Sequence, residues 1–368
     1  MKVSIITLHF VKNYGSVLQT YATQEVLKSL GYEAEIVDYW QPRYLDHNIL
    51  DGNLLFAPQW NKNVVTRAVY KMIKYPSHPK MCRVFNDFLK KYINLTPIRY
   101  TTLRQLQEKP PKADFYITGS DQVWNTTGND NINRMYYLDY APAGKKRIAY
   151  AASFGRSSLG EWEKAETREL LQKYDSIAMR ESSGVEIVRE LGKKAVNLID
   201  PTLMLNGVRW SELIEKDRFK DIDYIFVYML KGTTQSDEYI FRVAEKHGLK
   251  VIRLGHGYHE MLKKGNTVVL PPVYEFLSLI KNARCVITNS FHATAFSINF
   301  NTPFISIMRE RANSRINDLL HLLNLEERRL TDFNDLDLLN KTIDFEQVNR
   351  VLDEQRNIAL KYLKDSLR

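Results

Sequence analysis

The sequence contains little cysteine and no long apolar run. Its only cysteines are Cys82 and Cys285, which excludes a disulfide framework and a cysteine-based metal site. No stretch approaches the roughly 18 consecutive apolar residues that a membrane-spanning helix needs. Residues 1–10 are too short and too β-rich for a signal peptide, and no low-complexity segment or solenoid repeat is present. We therefore expect a globular, cytoplasmic protein.

Positive charge is in excess, but it is dispersed along the chain. The 52 Lys and Arg residues against 43 Asp and Glu give a net charge of +9. Such a balance fits nucleic acid, an anionic membrane surface or phosphorylated small molecules. Because no RNA- or DNA-reading motif is present, we expect no nucleic-acid partner. The charge favours an anionic substrate, and it is compatible with a lipid-phosphate-linked acceptor and with contact at the inner face of a membrane.

Alternating strand and helix patterns predict two α/β domains. The chain opens with a β-branched apolar strand, continues through the turn at 13–16 into a helical pattern at 17–30, and has Gly31 at the helix C-cap. A strand-helix-strand unit of this length predicts a right-handed crossover and a parallel sheet. A second alternating set begins near residue 222. The predicted fold class is therefore α/β, with two Rossmann-like domains facing a cleft.

The predicted domains divide the chain unevenly. We place an N-terminal Rossmann-like domain at 1–205 and a C-terminal one at 206–340, and we expect a final helix within 341–368 that packs back on the N-terminal domain. An amphipathic helical segment is predicted at 64–92. The strands that we predict are 3–8, 34–39, 114–118, 147–152, 176–179, 195–199, 224–229, 250–254, 267–270, 285–288 and 303–307.

Polar residues follow four of the predicted strands directly. In open parallel sheets, ligands bind beyond the carboxyl ends of the strands. Four polar clusters in such positions predict a ligand site at that edge. The clusters are Gly119-Ser120-Asp121-Gln122, Ser153-Phe154-Gly155, Arg180-Glu181 and Asn289-Ser290-Phe291-His292.

The order and spacing of the motifs resemble those of the polysaccharide pyruvyl transferases over roughly residues 3–325. The resemblance implies a GT-B-like fold of two domains. It also implies transfer of the enolpyruvyl group of phosphoenolpyruvate onto a sugar of a bacterial-type surface polysaccharide precursor, with release of phosphate and without a cofactor. The carrier of the acceptor stays open: it is a nucleotide, a lipid diphosphate or a finished glycan. The motifs are Asn13-Tyr14-Gly15 before Gln19, Gly119 to Asn125, Tyr150 to Gly155, Arg180-Glu181, Asp200-Pro201-Thr202-Leu203, Ser290 to Phe296 and Asn313 to Ile316.

The resemblance assigns the catalytic roles to His292 and Arg180. Histidine moves protons near neutral pH, and a guanidinium group binds a phosphate or carboxylate bidentately. His292 alternatively caps or packs in the helix that it begins, and Arg180 with Glu181 alternatively forms an ordinary surface pair. Many family members have arginine where this chain has Ser290. The candidates to supply that charge are Arg309, Arg311 and Arg315.

Further residues are expected to contact the donor or the acceptor. The turn at 119–122 has backbone N–H groups suited to an anion, although Ser120 or Asp121 also suits a plain N-cap. Gly15 equally suits a bare turn. His256 and His259 lack a third ligand nearby, so we expect no metal. The full set of expected binding residues is Asn13, Tyr14, Gly15, Gln19, Gly119, Ser120, Asp121, Gln122, Ser153, Glu181, Asn289, Ser290, Phe291 and Arg315.

Two other functions remain open from the sequence. A nucleotide-sugar-dependent glycosyltransferase of the GT-B type would use the same cleft, with Glu275 as the carboxylate for the ribose and Gly255-His256-Gly257 near the diphosphate. A non-catalytic binding subunit on the same fold would explain Ser290 in the arginine position, since fold alone does not fix function.

Overall fold

Two parallel six-stranded sheets organise the protein, which the computed structural model describes over residues 1–129, 131–308 and 314–368. The first sheet contains β1 (Lys2–Ile6), β2 (Glu33–Ile36), β3 (Phe115–Thr118), β4 (Lys146–Ala152), β5 (Ser176–Met179) and β6 (Val196–Asn197). The second contains β7 (Tyr224–Tyr228), β8 (Lys250–Gly255), β9 (Asn266–Val269), β10 (Cys285–Thr288), β11 (Phe304–Ile307) and β12 (Arg329–Leu330). The spatial orders are β2-β1-β3-β4-β5-β6 and β12-β11-β10-β7-β8-β9.

Helices connect the strands and cover the sheets. The α-helices are α1 (Tyr14–Ser29), α2 (Ile49–Leu54), α3 (Val64–Lys74), α4 (His78–Tyr92), α5 (Leu103–Glu108), α6 (Thr126–Asn129), α7 (Glu161–Gln172), α8 (Ser182–Glu190), α9 (Pro201–Met204), α10 (Gly207–Ser211), α11 (Thr234–Lys246), α12 (Val273–Lys281), α13 (Phe291–Asn299), α14 (Ser314–Leu322) and α15 (Phe345–Ser366). Short 3-10 turns include Pro42–Tyr44, Tyr75–Ser77 and Tyr258–Leu262. The predicted α/β class with two Rossmann-like halves is confirmed.

The central strands are buried because helices cover both faces of each sheet. Every residue of β3 and of β10 is buried, as parallel sheets between helices require. Alternation of strands and helices then leaves the polar loops at the carboxyl edges of the sheets. Those loops contain the four polar clusters that follow the predicted strands.

The predicted helical segment at 64–92 is two helices rather than one. α3 begins at a capping box formed by Asn63 and Thr66, and it ends at Lys74. A 3-10 turn at Tyr75–Ser77 then precedes α4, which has proline in its first turn. Proline lacks the N–H that would continue a helix, so the break follows from the sequence Tyr75 to Pro79.

The last helix, α15, contacts both halves of the molecule. The Tyr362 hydroxyl donates to the carbonyl oxygen of Ala149 in β4 at 2.9 Å. Nearer its start, Arg356 donates to the carbonyl oxygen of Leu203 at 2.8 Å and to Oδ1 of Asn299 at 3.2 Å. The helix therefore lies against the first sheet and also reaches the end of α13.

The two halves meet through α1. The buried Tyr14 hydroxyl donates to the carbonyl oxygen of Pro271 at 2.8 Å. Its ring stacks on Phe276 of α12, with 4.7 Å between the ring centroids. Since an unpaired buried hydroxyl is costly, this bond fixes the start of α1 relative to the second sheet.

Candidate active site

A cleft of about 230 Å³ opens between the carboxyl edges of the two sheets. The loops that follow β1 and β3 supply one wall, and the loops that follow β7 and β10 supply the other. Ligands of open parallel sheets bind at such edges. Side chains along the two walls include Asn13, Ser16, Asp121, Gln122, Leu230, Asn289, Ser290, Phe291, His292 and Arg315.

His292 lies in the first turn of α13, directly against α1. Ser290 is the N-cap of α13, and its hydroxyl accepts from the backbone N–H of Ala293 at 3.5 Å. The imidazole rests on Gly15, where an added Cβ would lie 2.1 Å from Nδ1. A side chain at residue 15 would therefore displace the ring. Within the described residues, Nε2 of His292 has no hydrogen-bond partner.

The surroundings of His292 favour its uncharged form. Burial lowers the pKa of His292 below its ordinary value of 6.5, and it outweighs the opposing charges of Asp200 and Asp121. The nearby Arg180 and Arg315 act in the same direction as burial. A neutral imidazole has a lone pair free to accept a proton, so the ring can act as a base.

Arg180 follows β5 and is paired with carboxylates. Its Nη1 donates to Oδ2 of Asp200 at 2.9 Å, and Nη2 lies 3.6 Å from Oδ1 of Asp121. Its Nε lies 3.9 Å from Oε2 of Glu181. The guanidinium carbon lies 5.1 Å from the ring centroid of Phe291. The Arg180 side chain is 1% exposed, so Arg180 does not line the cleft.

Asp200 holds Arg180, and it was not among the expected site residues. Its Oδ1 accepts from the backbone N–H and the hydroxyl of Thr202 at 2.9 and 2.7 Å, and Oδ2 also accepts from the Ser120 hydroxyl at 2.8 Å. Burial opposes ionisation, but the charge of Arg180 and these bonds lower the pKa of Asp200 to about 2. Asp before Pro201 indicates a helix cap in the sequence, and nothing local indicated the partner Arg180.

Asp121 links the first wall of the cleft to the same cluster. It has a positive φ of 79°, which is costly for a residue with a side chain and is typical of functional sites. Its Oδ2 accepts from the Ser16 hydroxyl at 2.8 Å, and its Oδ1 accepts from the backbone N–H of Gln122 at 2.9 Å. Burial works against ionisation, but neighbouring cations, Arg180 foremost, hold the pKa of Asp121 below its ordinary value.

Arg315 brings a guanidinium group to the cleft from α14. The Gln122 amide faces it, with 2.8 Å to Nη2 when the amide oxygen is the acceptor. Burial and the charge of Arg180 lower the pKa of Arg315 to about 10, so the group stays protonated at neutral pH. Arg309 and Arg311, the other candidates for the missing charge, lie outside the described residues, as does Asn313.

The buried cluster holds more carboxyl groups than guanidinium groups among the described residues. Asp121, Glu181 and Asp200 surround Arg180 and Arg315. Additional positive potential comes from the backbone, because α1 and α13 both begin at this cleft. Helix N-termini carry a partial positive charge that attracts anions.

A sequence model of one family covers most of this arrangement. The model of polysaccharide pyruvyl transferases matches residues 13–311, from the N-cap of α1 to beyond α13. The chain belongs to the polysaccharide pyruvyl transferase family. It is therefore a member of a family of transferases, and the resemblance inferred from the motifs is confirmed. No match among curated proteins was found.

Solved structures with a similar fold are distant in sequence. A UDP-GlcNAc 2-epimerase from Methanocaldococcus jannaschii, in complex with UDP-GlcNAc and UDP, is 15% identical with a TM-score of 0.51 and covers 97% of this chain and 94% of its own. A Listeria monocytogenes protein described as a UDP-N-acetylglucosamine 2-epimerase is 12% identical with a TM-score of 0.53, over 97% and 90%. At these identities the likeness concerns the fold, which is of the GT-B type.

Several residues expected to contact substrate in this pyruvyl transferase family member are instead buried away from the cleft. The Gln19 amide donates to the Thr7 hydroxyl at 2.9 Å and to the carbonyl oxygen of Ser16 at 3.0 Å. The Ser153 hydroxyl donates to Oε1 of Glu181 at 2.6 Å. These hydrogen bonds stabilise the loops behind the cleft. The expected contact residues that do not line it are Tyr14, Gly15, Gln19, Gly119, Ser120, Ser153, Arg180 and Glu181.

Asn289 lines the cleft and also fixes a neighbouring loop of the family fold. Its Oδ1 accepts from the backbone N–H of Leu230 at 2.8 Å, and its Nδ2 donates to the carbonyl oxygen of Lys231 at 2.7 Å. Its amide oxygen and its amide nitrogen thus each make a hydrogen bond to the loop after β7. The residue thereby shapes the second wall of the cleft.

The features that suggested a nucleotide-sugar enzyme have other partners in this transferase. Oε2 of Glu275 accepts from Nη2 of Arg218 at 2.6 Å, so the expected ribose ligand is ion-paired. The backbone N–H of His256 donates to Oε1 of Glu260 at 2.8 Å, so this group of the expected diphosphate loop is also paired. No group of three or more His, Cys, Asp or Glu placed to hold a metal occurs in the described part of the chain. Across the same residues, every helix is too short or too polar to cross a bilayer.

Proposed function

We propose that the protein transfers the enolpyruvyl group of phosphoenolpyruvate onto two hydroxyls of a sugar, forming a cyclic ketal and releasing phosphate. The observation that carries the proposal is the position of His292, with Nε2 unpaired among the described residues, beside Arg315 in a cleft between the two halves. Family membership supports the reaction class.

The proposed reaction has two stages. First, the methylene carbon of the donor gains a proton and the adjacent carbon forms a bond to the first sugar oxygen. Next, a neighbouring hydroxyl oxygen bonds to that carbon, while the carbon–oxygen bond to phosphate breaks and phosphate leaves with the bonding electrons. Of the two hydroxyl protons lost, one balances the new carbon–hydrogen bond and one leaves with phosphate.

His292 is the proposed proton carrier. Because its pKa is below the ordinary value, the ring is ready to take a proton from the first sugar hydroxyl. Once protonated, it is the proposed acid that gives this proton to the methylene carbon. Proton transfer by a positioned side chain typically contributes 10²–10⁴-fold to a rate. Gly15 supports this role by letting the ring approach α1 closely.

Arg315 is the proposed direct contact of the donor anion. It lines the cleft, whereas Arg180 is held behind it by Asp200. A guanidinium fork suits a phosphate or a carboxylate, and the N-termini of α1 and α13 add positive potential. We assign Arg180 the role of a positioning residue that acts through Phe291 and Asp121. The scheme uses no cofactor and no metal.

The proposed acceptor is a sugar of a surface polysaccharide precursor. Its carrier is a nucleotide or a lipid diphosphate, and the proposed setting is the cytoplasm, at the inner face of the membrane when the carrier is a lipid. The cleft is open to solvent between the two halves, which suits an acceptor larger than the donor.

Phosphate release tests the proposal. Wild-type protein with phosphoenolpyruvate is expected to release phosphate when a nucleotide-linked or polyprenyl-diphosphate-linked sugar is added. His292→Ala is expected to lower that rate by about 100-fold or more. The matched control is His321→Ala, since the His321 side chain is 85% exposed. Equal rates for wild type and His292→Ala would disprove the assignment.

Ligand-dependent melting separates this proposal from the glycosyltransferase alternative. Phosphoenolpyruvate alone is expected to raise the melting temperature, because ligands that bind only the folded state stabilise it. Arg315→Ala is expected to remove most of that rise. A rise with a nucleoside diphosphate and none with phosphoenolpyruvate would support the glycosyltransferase instead.

A further inference from the structure

Exposed apolar side chains gather on one surface, outside the cleft. α3 contacts both α2 and the 3-10 turn Tyr258–Leu262, so these elements form one continuous surface. The side chains are unusually open, with Val64 79% exposed and Leu262 92% exposed. We name this surface the apolar patch and define it as Leu55, Phe56, Val64, Val65, Met72, Tyr75, Met261 and Leu262.

α3 has a second apolar face in addition to the one that packs on the protein. Tyr70 is its buried residue, and Val69 and Ile73 are half-buried beside it. At 3.6 residues per turn, a second arc of about 100° on the helix points away from this packed face. It contains Val64, Val65, Ala68 and Met72. All four are exposed. Packing on the protein therefore does not explain four of the seven apolar residues in this helix.

Positive charge surrounds the apolar patch. Residues 52–86 contain six Lys or Arg and no Asp or Glu. Exposed Lys263 and Lys264 follow Leu262 directly. The acid of that turn, Glu260, uses Oε1 to accept from the backbone N–H of His256 and Oε2 to pair with Lys263. Between α2 and α3, Oδ1 of Asp51 lies 2.6 Å from Nζ of Lys71.

We propose that the apolar patch docks on an anionic lipid bilayer. A helix with exposed apolar residues on one arc and cations beside it lies in the plane of a membrane interface, with the apolar residues among the lipid chains. Lys and Arg near the surface are attracted to anionic headgroups. The charge complementarity favours lipid over a protein partner, since Lys62 and Arg67 have no acidic neighbour in residues 52–86.

The apolar patch also reaches the rim of the cleft. The Arg43 guanidinium lies over the ring of Tyr44, at 5.1 Å, and over the ring of Phe56, at 5.5 Å. Tyr44 lines the cleft, and Phe56 belongs to the apolar patch. Docking would therefore bring the cleft close to the headgroups. This inference rests on the proposed function. It adds that the acceptor is linked to a lipid diphosphate rather than to a nucleotide, because the carrier lipid would lie in the same membrane.

Vesicle flotation tests the docking. The full chain is mixed with vesicles of equal parts phosphatidylcholine and phosphatidylglycerol, or of phosphatidylcholine alone, and floated through a density gradient. Wild type is expected to float with the anionic vesicles and to float at least tenfold less with the neutral ones. Raising the salt concentration is expected to weaken binding, because screening reduces the attraction of surface charges.

A matched pair of double variants locates the binding surface. Met72→Ser with Leu262→Ser removes two exposed apolar side chains of the apolar patch, and it is expected to reduce flotation at least tenfold. Val208→Ser with Ile358→Ser, which changes residues 72% and 51% exposed elsewhere, is expected to float like wild type. All four positions are exposed, so folding should survive, and circular dichroism checks this.

The outcomes separate docking from catalysis. Flotation needs neither donor nor acceptor, so its result stands whether or not the protein makes a ketal. Wild type that stays unbound with both vesicle types would overturn the proposal and leave the apolar patch to a protein partner. Equal flotation of the Met72 and Leu262 double variant and wild type would also overturn it.

Discussion

At the scale of single residues, the contact between Gly15 and His292 is the most restrictive feature of the cleft. A Cβ at residue 15 would lie 2.1 Å from Nδ1 and 2.4 Å from Cγ of the imidazole, well inside van der Waals contact. Interiors are close-packed and tolerate such overlap poorly. Gly15 therefore allows the imidazole of His292 to approach α1 closely, in addition to any role of this glycine in the turn.

Gly15→Ala is expected to lower turnover by about 100-fold, since displacing a reacting group by about 1 Å costs that order. It is also expected to lower the free energy of unfolding by about 2 kcal/mol through overpacking. In a His292→Ala background that loss of stability should vanish, because the ring is gone. Urea unfolding of the two single variants and the double variant measures this coupling.

The control for the glycine experiment is Gly232→Ala. A Cβ there would meet its nearest atom at 3.7 Å, an ordinary contact. This variant should keep wild-type turnover and stability. If the double variant lost as much free energy of unfolding as Gly15→Ala and His292→Ala lose together, the two residues would not interact.

The lowered pKa of His292 leads to a prediction about pH. The uncharged ring is the proposed base, and protonation removes it as pH falls through its pKa. Because that pKa is below 6.5, the acid limb of kcat/KM is expected below pH 6.5. His292→Gln should abolish this limb in whatever activity remains. An acid limb at or above pH 6.5 would contradict the burial argument.

The sequence indicated some of these site residues and not others. His292, Asn289 and Ser290 were found because the polar motif directly follows a buried strand. Asp200 lies in one of the family motifs but was not predicted as a site residue, because its partner Arg180 follows a different strand. Tyr14 and Gln19 lie in the right motif, but helical rotation turns both away from the cleft.

At the scale of secondary structure, continuous apolar runs made the strands predictable. β5 and β10 have the predicted bounds, and the ends of the other predicted strands differ by no more than three residues. β6 keeps only two residues at an exposed sheet edge, and the two-residue strand β12 was not predicted. The small helices α5 and α10 each begin at a side-chain N-cap. They were not predicted because each is too short to show a helical apolar pattern.

α15 provides the element-scale prediction. Leu363 is 1% exposed, whereas Ile358 in the same helix is 51% exposed. Leu363→Ala is expected to lower the free energy of unfolding by about 3 kcal/mol, since it leaves a cavity under the helix. Ile358→Ala should change it by no more than about 0.5 kcal/mol. Chemical denaturation measures both, and similar effects would mean that α15 does not dock.

At the scale of the whole molecule, buried ionic groups join the strand ends of the first half. Asp200 lies after β6, Arg180 after β5 and Asp121 after β3, and all three are buried. Removing one partner of a buried ion pair leaves the other charge uncompensated, which is strongly destabilising. The stability of the fold should therefore depend on the ionisation of Asp200.

Acid unfolding tests this dependence. The pKa of Asp200 is about 2 in the folded protein against an ordinary value of 3.8, so its contribution is present above pH 3.8 and is lost as pH falls toward 2. That contribution is about 2 kcal/mol, at 1.36 kcal/mol per pKa unit. Asp200→Asn should lack it and should be less stable at neutral pH by about 3 kcal/mol.

The control for acid unfolding is Asp365→Asn, because the Asp365 side chain is 53% exposed and its ion pair with Arg368 is at the surface. Exposed pairs contribute little, so this variant should follow the wild-type curve. If Asp200→Asn matched Asp365→Asn at neutral pH, the ionic cluster would not support the fold.

The contact between α1 and α13 has a consequence for the proposed reaction. The two helices belong to opposite halves, and the imidazole of His292 packs directly on Gly15 of the other half. Neither half alone holds the ring in this position. The proposed proton carrier is therefore complete only while the two helices remain packed together.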